Sequence, residues 1–230
     1  KFPNRFIEMG IAEQNMAAVA AGLALAGKMP FVATYAVFCP GRNWDQVRIS
    51  ICYQKLNVKL SGAHAGISVG PDGATHQAME DIAITRVLPN MTVLVPCDAE
   101  ESRKAVLAAA DVRGPVYLRF ARHKTPVFTT PKTPFTIGKA LQLTDGDDVT
   151  VIGCGPIVFS ALDAARQLSE KGIGVRVLGM ATVKPLDVSS VSKAARETGA
   201  LVTAEEHQRY GGLGGAVAES LTSVGPPVPQ

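Results

Sequence analysis

Short apolar runs alternate with longer amphipathic segments through the first half of the chain. Four short runs have the length and the β-branched and leucine content of buried parallel strands: 30–36, 57–60, 91–96 and 115–120. Four longer segments repeat their apolar residues at helical spacing: 16–27, 42–53, 77–86 and 99–110. An apolar stretch at 6–9 predicts the end of one more strand. Because strand and helix alternate, we predict a doubly wound α/β domain with polar loops at the carboxyl ends of its strands.

The second half repeats this alternation after an irregular, threonine- and proline-rich stretch, which we interpret as a linker over 125–137. Three more strands and three more helices are predicted beyond it: strands at 148–154, 175–180 and 200–206, and helices at 159–171, 188–198 and from about 211. We therefore predict two doubly wound domains with mainly parallel sheets, 1–124 and 138–230. The chain opens on Lys1 and closes on the loop-like 225–230, and we expect both domains to be truncated.

Composition and charge describe an ordinary globular protein. The 230 residues are 47% hydrophobic and 19% charged, with a net charge of +3. That charge is too small and too scattered to predict a nucleic-acid or anionic membrane partner, and the longest apolar run, 17–27, is too short to cross a bilayer. The four cysteines have no metal-ligand spacing, so we expect buried thiols in a reducing cytoplasm.

The densest polar stretch is the loop His64–Gln77, which holds two histidines, one aspartate, three glycines and a proline. Loops on a rigid scaffold are common places for binding and catalytic groups. The spacing of His64, Asp72 and His76 matches no common zinc pattern, and we predict no metal site in the chain. We interpret these side chains as hydrogen-bonding groups for a polyhydroxylated or phosphorylated substrate, with a merely solvated loop as the alternative.

Two further sets of residues have both a structural and a functional interpretation. Glu13 is either a helix-start carboxylate that binds free amides or a proton-handling group beneath an apolar stretch. The aromatic residues Tyr35, Phe38 and Trp44 are either core residues or a platform for a planar ring.

A basic group follows the strand 115–120, with Arg119, Arg122, His123 and Lys124. It forms either a solvated turn or a phosphate clamp. The GGLGG sequence, 211–215, is either an anion-binding nest at a helix start or a close-packed turn.

Four stretches, taken in order, resemble the transketolase family of thiamine-diphosphate enzymes. RFIEMGIAEQNMAAVAAGLA is similar to its glutamate motif, and TYAVFCPGRNWDQVR to its aromatic segment. HAGISVGPDGATHQ is similar to its substrate loop, and ARHKTP to the segment whose arginine binds the sugar phosphate. The resemblance covers nearly the whole chain and implies a pyrimidine-binding domain followed by the family's C-terminal domain.

The resemblance assigns cofactor-binding roles to three residues. Glu13 would be the catalytic glutamate that shares a proton with N1′ of the aminopyrimidine, and Tyr35 and Phe38 would flank that ring. One extra residue lies between Phe38 and Trp44 relative to the family pattern, which leaves the roles of Arg42 and Trp44 open.

The substrate roles fall on the loop and on the basic group. The resemblance implies that His64 and His76 are catalytic and, with Asp72, orient the sugar hydroxyls. Arg122 would hold the sugar phosphate, so that remote binding energy aligns the reacting carbons. The implied reaction is the transfer of a two-carbon ketol unit from a ketose phosphate to an aldose phosphate, as in the pentose phosphate pathway.

The chain lacks the GDG-type motif with which the family binds the diphosphate and its metal, Mg²⁺ or in its place Ca²⁺ or Mn²⁺. The resemblance therefore implies an N-terminal partner, either a separate subunit or another part of the same polypeptide, that holds thiamine diphosphate jointly with this chain. Such pairs are expected to associate further, giving a heterotetramer or a homodimer. Without that partner we expect no catalysis.

Three other interpretations remain. A 1-deoxyxylulose-5-phosphate synthase shares the glutamate motif and the later EEH and GGLG turns, but it usually carries arginine where this chain has His64. The β-subunit of a 2-oxo acid dehydrogenase fits the substrate loop less well. A non-catalytic structural paralogue would be expected to lose the glutamate or a loop histidine, and this chain keeps Glu13, His64 and His76.

Overall fold

The structure is a computed structural model that describes residues 2–224, so the loop-like end at 225–230 lies outside the described residues. Its helices and strands are, in chain order, α1 (Glu13–Leu25), β1 (Phe31–Tyr35), α2 (Trp44–Gln46), β2 (Lys59–Ala63), α3 (Asp81–Arg86), β3 (Thr92–Leu94), α4 (Ala99–Asp111), β4 (Val116–Arg119), β5 (Leu141–Thr144), β6 (Val149–Gly153), α5 (Ile157–Ser169), β7 (Val175–Gly179), β8 (Thr182–Lys184), α6 (Val188–Thr198), β9 (Leu201–Ala204) and α7 (Leu213–Val224).

The first sheet has the strand order β1-β2-β4-β3-β8. Its first four strands are parallel, and their register sets Tyr35 beside Ala63 and Gly62 beside Arg119. The carboxyl ends of β1, β2 and β4 therefore lie side by side at one edge of the sheet. Every predicted strand of the first half except 6–9 is present; Phe6–Met9 has no regular structure and pairs with no strand of residues 2–224.

Helix α1 begins at Glu13 and is built largely of alanine and glycine. Ala17, Ala20 and Ala21 are buried on its inner side. Small side chains let a helix approach the neighbouring elements closely, which fixes the position of its first turn relative to the sheet.

The predicted helix at 42–53 is divided into two parts. The α-helical turn α2 passes directly into a π-helical segment, Val47–Cys52, in which Val47, Ile51 and Cys52 are buried. π-Helical insertions are rare in proteins, and those that occur often lie beside functional sites. The spacing of the apolar residues cannot distinguish this π-helical turn from an α-helical one, because the same residues would also face inward from an α-helix.

The second sheet has the order β5-β7-β6-β9, with β6, β7 and β9 parallel and β5 antiparallel at the edge. Strands β5 and β8 are absent from our sequence prediction, because their sequences, LQLT and TVK, contain no run of apolar residues. β8 follows the second-sheet strand β7, yet pairs antiparallel with β3 of the first sheet. The main apolar core likewise joins the two halves, with Leu60 and Val93 in one cluster with Ile152 and Leu178.

The connection over 125–137 has no helix or strand, but it is fastened along its length. Its Phe135 and Ile137 pack against the apolar cluster under α4, and Phe128 lies 6.2 Å from the ring of Phe159. Lys104 donates a hydrogen bond to Thr133 O at 2.6 Å. The segment is therefore a packed part of the protein surface.

Asp98 is the main polar anchor of that connection. Its Oδ1 accepts from the amide of Glu101, as the N-cap of α4, and from Thr129 Oγ1, while Oδ2 accepts from the amides of Phe128 and Thr129. Burial acts to raise the pKa of the Asp98 carboxyl, but these hydrogen bonds outweigh it and hold the pKa below its usual value.

The four cysteines (Cys39, Cys52, Cys97 and Cys154) are all buried and unbonded to one another, which confirms the prediction of buried thiols. Burial is the main reason that the pKa of the Cys39 thiol is raised to about 11. These thiols are therefore protonated at neutral pH and act as small apolar residues. None of the helices within residues 2–224 combines the length and apolar character needed to span a membrane.

We expect Asp98→Asn to reduce the free energy of unfolding by about 1–3 kcal/mol, because an amide nitrogen replaces an oxygen that accepts hydrogen bonds. A carboxyl whose pKa is depressed by folding stabilises the protein above its unfolded-state pKa, here 3.8, and loses that effect as the pH falls through and below it. Urea denaturation near pH 7 and near pH 3 should therefore show the difference between wild type and variant shrinking at the lower pH.

The control is Asp111→Asn, an exposed carboxylate at the other end of α4. Its effect should stay within about 0.5 kcal/mol at both pH values. A difference between Asp98→Asn and wild type that persists unchanged at the lower pH would contradict the role of the Asp98 charge.

Candidate active site

The carboxyl ends of β1, β2 and β4 lead into the three loops that carry most of the predicted site residues. The loop after β1 holds Phe38 and Arg42, the loop after β2 runs from His64 to Glu80, and the turn after β4 holds Arg122. Ligands of open α/β sheets bind at this edge. The first residue of α1, Glu13, reaches the same place from beneath.

Glu13 is 6% exposed and is held by the loop after β1. Arg42 Nη1 lies 2.9 Å from Glu13 Oε2, and the buried Asn43 amide donates to Glu13 O at 3.1 Å. Within residues 2–224, Glu13 Oε1 has no hydrogen-bond partner. The carboxylate is thus fixed through one oxygen and has the other free to accept a hydrogen bond.

The predicted aromatic pair meets the two loop histidines. Tyr35 and His64 are stacked with centroids 4.1 Å apart, and Tyr35 and Phe38 have nearly parallel rings at 6.2 Å. His76 is edge-on to both, at 5.8 Å from Tyr35 and 5.4 Å from Phe38. The Arg42 guanidinium carbon lies 4.3 Å from the Phe38 ring centroid, so Arg42 links the aromatic group to Glu13.

His64 has a backbone conformation that non-glycine residues rarely adopt. Its φ is +58°, directly after β2, and its Nδ1 is buried with no hydrogen-bond partner within the described residues. Left-handed backbone at a non-glycine residue and an unpaired buried nitrogen both carry an energetic cost and are concentrated at functional sites. The neighbouring His76 has a partner, since its Nδ1 lies 2.8 Å from Thr75 Oγ1.

Asp72 and Arg122 face each other across the mouth of the loop. Their closest charged atoms, Arg122 Nη1 and Asp72 Oδ2, are 3.9 Å apart, and about a third of each side chain is exposed. Arg122 also donates to the carbonyl of Val69. The guanidinium is placed against Gly70, where a Cβ would lie 2.7 Å from Nη1. An exposed arginine so placed remains available to an anion.

Arg119 belongs neither to a phosphate clamp nor to a solvated turn. It is 4% exposed, and its Nε lies 2.8 Å from Asp81 Oδ2, an oxygen that also accepts from Tyr117 Oη at 2.7 Å. Burial acts against the charge of Arg119, but the adjacent Asp81 carboxylate outweighs it and holds the pKa of the guanidinium above its usual value. Its other nitrogen, Nη2, donates to the carbonyls of Ala78 and Glu206.

Trp44 does not join the aromatic group around Tyr35. Its Nε1 donates to Ile84 O at 2.6 Å, and its ring packs against the main core, so it serves as a structural anchor between α2 and α3. Arg42, whose role the sequence leaves open, does belong to the site, since it lies between Glu13 and Phe38. No feature of the local sequence around Arg42 indicates this contact.

The second half contributes a turn after β9 to this edge. Ser68 Oγ donates to Glu206 Oε2 at 3.0 Å, and the amide of Gln208 donates to Met79 O at 2.7 Å. The carboxylate of Glu205 accepts from the amides of Leu213 and Gly214. The GGLGG nest is therefore filled by the protein's own carboxylate and is not a free anion site.

No metal site is formed by this chain within residues 2–224. Among those residues, no three histidine, cysteine, aspartate or glutamate side chains gather in an arrangement that could ligate a metal ion. The loop residues His64, Asp72 and His76 are instead directed towards the aromatic group and Arg122.

Comparison with known proteins identifies the family. The model of the transketolase pyrimidine-binding domain matches residues 1–127, and that of the transketolase C-terminal domain matches residues 138–230. The chain belongs to the transketolase family. The family resemblance and the α/β architecture with two mainly parallel sheets are thereby confirmed.

Relatives within the transketolase family include subunits of divided enzymes. The chain is 44% identical over 229 residues to a subunit of the apulose-4-phosphate transketolase of Phocaeicola vulgatus, covering 99% of this chain and 73% of that protein. It is 44% identical over 221 residues to the 6-deoxy-6-sulfo-D-fructose transketolase subunit SqwH of a Clostridium species, covering 96% and 69%. A solved split-gene transketolase, described as an inactive β4 tetramer, superposes with a TM-score of 0.92 at 49% identity, covering 99% and 74%.

In this transketolase-family chain we expect Arg119→Met to destabilise the fold by about 3–5 kcal/mol, because it leaves the Asp81 carboxylate buried and unpaired. Chemical denaturation measures this. The matched control is Arg166→Met, which removes an arginine whose ion pairs with Asp163 and Glu170 are exposed, and it should change stability by about 0.5 kcal/mol or less. Equal stability of Arg119→Met and wild type would contradict the importance of the buried pair.

Proposed function

We propose that this chain is the C-terminal subunit or section of a transketolase. In this proposal it transfers a two-carbon ketol unit from a ketose phosphate to an aldose phosphate, together with an N-terminal partner and thiamine diphosphate. The observation that carries the proposal is the single cluster formed by Glu13, Arg42, Phe38, Tyr35 and the two loop histidines. Those residues come from separate parts of the chain, and most of them are the ones for which the family resemblance implies cofactor and substrate roles.

The chemistry of this cluster fits the aminopyrimidine end of thiamine diphosphate. Glu13 offers a buried carboxylate with one free oxygen, which suits a ring nitrogen that carries a hydrogen. Phe38 already receives a flat cationic group on one face, since Arg42 lies over it. When bound, the cofactor supplies the carbon nucleophile and the electron sink of the reaction. Glu13, Tyr35 and Phe38 are the residues that would hold it.

Glu13 is the residue to which we assign proton handling. Its carboxylate is fixed by Arg42 and by the hydrogen bond from Asn43 to its main chain, so the free oxygen points in one direction. A buried carboxylate held in a fixed direction can share a proton with a bound heterocycle without moving.

We assign substrate binding to the loop after β2 and to Arg122. His64 is partly exposed although its Nδ1 is buried, and we assign the exposed part of its ring to contact with a sugar hydroxyl. Asp72 and Arg122 stand 3.9 Å apart at the exposed mouth, where Arg122 would bind a phosphate with its planar fork. Holding the phosphate far from the reacting carbons lets binding energy align them.

The proposed partner supplies what this chain lacks. The chain has no GDG-type motif, and its described residues form no metal cluster, so we assign the diphosphate and its Mg²⁺, Ca²⁺ or Mn²⁺ to an N-terminal subunit or domain. A relative solved as an inactive β4 tetramer supports this division of labour. The proposed assembly is a dimer of such pairs.

A synthase that condenses pyruvate with glyceraldehyde 3-phosphate is the second candidate. Its resemblance rests on the glutamate motif and on the EEH and GGLG turns, but the stacking of His64 on Tyr35 favours the transketolase proposal. An arginine at position 64 would place a longer cationic side chain in that contact. The synthase therefore needs a different arrangement at this point of the loop.

The test of the proposal is reconstitution. The chain should be purified from its source with any associated chain, or mixed with a candidate N-terminal half, and supplied with thiamine diphosphate and magnesium. Ketol transfer from xylulose 5-phosphate to ribose 5-phosphate should appear only when the N-terminal half is present. Condensation of pyruvate with glyceraldehyde 3-phosphate in place of ketol transfer would replace the proposal with the synthase.

In the reconstituted enzyme, Glu13→Gln should lower kcat by at least about a hundredfold, because the amide cannot exchange a proton as the carboxylate does. The fold should survive, since the ion pair lost with Arg42 is half exposed on the arginine side. Steady-state kinetics and thermal unfolding measure both effects. The control, Glu8→Gln, removes an exposed carboxylate and should leave both unchanged; a fully active Glu13→Gln enzyme would end the assignment of Glu13.

His64→Arg should lower kcat/KM for sugar phosphates by about tenfold or more, because the replacement removes the imidazole and places a longer cationic side chain against Tyr35. Kinetics with both donor and acceptor varied will show which substrate is affected. The control is Gln167→Arg, which introduces an arginine at an exposed position of α5, outside the loops of the site, and for which we expect less than about a twofold change. Unchanged sugar kinetics in His64→Arg would remove the main argument against the synthase.

A further inference from the structure

The substrate loop after β2 contains little regular structure of its own. Gly66, Gly70 and Gly73 all have positive φ, and only two short 3₁₀ turns, Ile67–Val69 and Ala74–His76, interrupt it. A loop rich in glycine loses much conformational entropy when it is ordered. Contacts from outside the loop must therefore hold it in the arrangement that brings its histidines together.

We propose that Glu206, in the turn after β9, is a positioning residue for the loop of residues 64–80. It acts on the early part of the loop through Ser68 and on the late part through Arg119 and Ala78. The kinetic part of this inference rests on the proposed function, and the structural part does not. The inference gives the second sheet a defined role in the site formed by the first.

The early part of the loop is held by the Glu206 carboxylate. Ser68 Oγ donates to Glu206 Oε2 at 3.0 Å. The same carboxylate is pressed against Gly66, where any Cβ would overlap Glu206 Oε2. Ser68 lies between His64 and Asp72 in the chain, so this contact fixes the segment that joins two of the proposed substrate residues.

The late part of the loop is held by the main chain of the same turn. Arg119 Nη2 donates to Glu206 O at 2.7 Å and to Ala78 O at 3.3 Å, so one buried guanidinium joins the turn to the loop. Next to it, the amide of Gln208 donates to Met79 O at 2.7 Å. The loop is thus attached to one short turn, 206–208, on both sides of Asp72 and His76.

A second contact between the two halves provides a comparison. Arg86 and Glu219 form a two-fold hydrogen-bonded ion pair, with both distances 2.7 Å, and neither residue belongs to the loop. If Glu206 merely joined the halves, its removal would act like the removal of Glu219. A positioning role instead predicts that only Glu206 affects the loop.

Hydrogen–deuterium exchange on the complete protein in its natural assembly tests the structural part. We expect the amides of residues 66–72, the part of the loop that the Glu206 carboxylate holds, to exchange about tenfold faster in Glu206→Ala than in wild type, as expected when a hydrogen bond to a charged group is lost. Glu219→Ala should leave those amides unchanged. Equal exchange of the loop in Glu206→Ala and wild type overturns the inference, whatever the activity.

Ketol-transfer kinetics of the reconstituted enzyme test the functional part. Glu206→Ala should lower kcat/KM about tenfold, and Glu206→Gln should restore it to within about threefold, because its amide oxygen can still accept from Ser68. Adding Ser68→Ala to Glu206→Ala should cause little further loss, since both act on one contact. Glu219→Ala should retain wild-type kcat/KM.

The outcomes separate the two hypotheses. Absence of ketol transfer in the wild-type assembly counts against the proposed function, and the exchange data still decide the role of Glu206. Wild-type ketol transfer in Glu206→Ala, or a Glu206→Gln enzyme as impaired as Glu206→Ala, overturns positioning through Ser68.

Discussion

The buried ion pair of Arg119 and Asp81 is the interaction on which the rest of the site depends. A guanidinium removed from water must have its charge balanced and its donors satisfied, or it destabilises the fold. Here the balancing carboxylate begins α3, and Nη2 of the guanidinium binds the end of the loop after β2 and a turn of the second half. A single requirement of electrostatics therefore fixes a strand end, a helix start and two loops relative to each other.

Near that ion pair, side chains of this chain form one side of a candidate catalytic site. The cluster of Glu13, the aromatic rings and the histidines provides a buried carboxylate, a flat apolar surface and polar contacts, while residues 2–224 contain no group of three side chains placed to ligate a metal ion. Such an arrangement suits an enzyme whose cofactor lies between two polypeptide surfaces.

Sequence reasoning predicted the architecture well because parallel strands and their helices leave a strong periodic signal. It failed where that signal is weak or ambiguous. Strands β5 and β8, LQLT and TVK, contain no run of apolar residues, and the π-helical segment has the same inward residues as an α-helix. The apolar stretch at Phe6–Met9 predicted a strand, but an isolated segment without a pairing neighbour cannot form one.

Most candidate site residues lie in sequence motifs that can be recognised, but the contacts around them cannot be predicted from those motifs. Glu13 and the loop histidines lie in stretches of distinctive composition. The part played by Arg42 depends on how the loop after β1 turns back over Phe38, and that of Arg119 on a carboxylate 38 positions away in the chain. Both are products of tertiary structure, which no local pattern encodes.

The position of strand β8 restricts how the two halves of this chain can be separated or recombined during evolution. It belongs to the chain after the connection, yet it closes the edge of the first sheet beside β3. An exchange of genetic material at the connection would carry away one strand of the neighbouring sheet and leave β3 with an open edge, which invites association with foreign strands. A second half acquired by recombination at that boundary would have to bring a strand that pairs with β3, so this pair restricts which second halves the first sheet can accept.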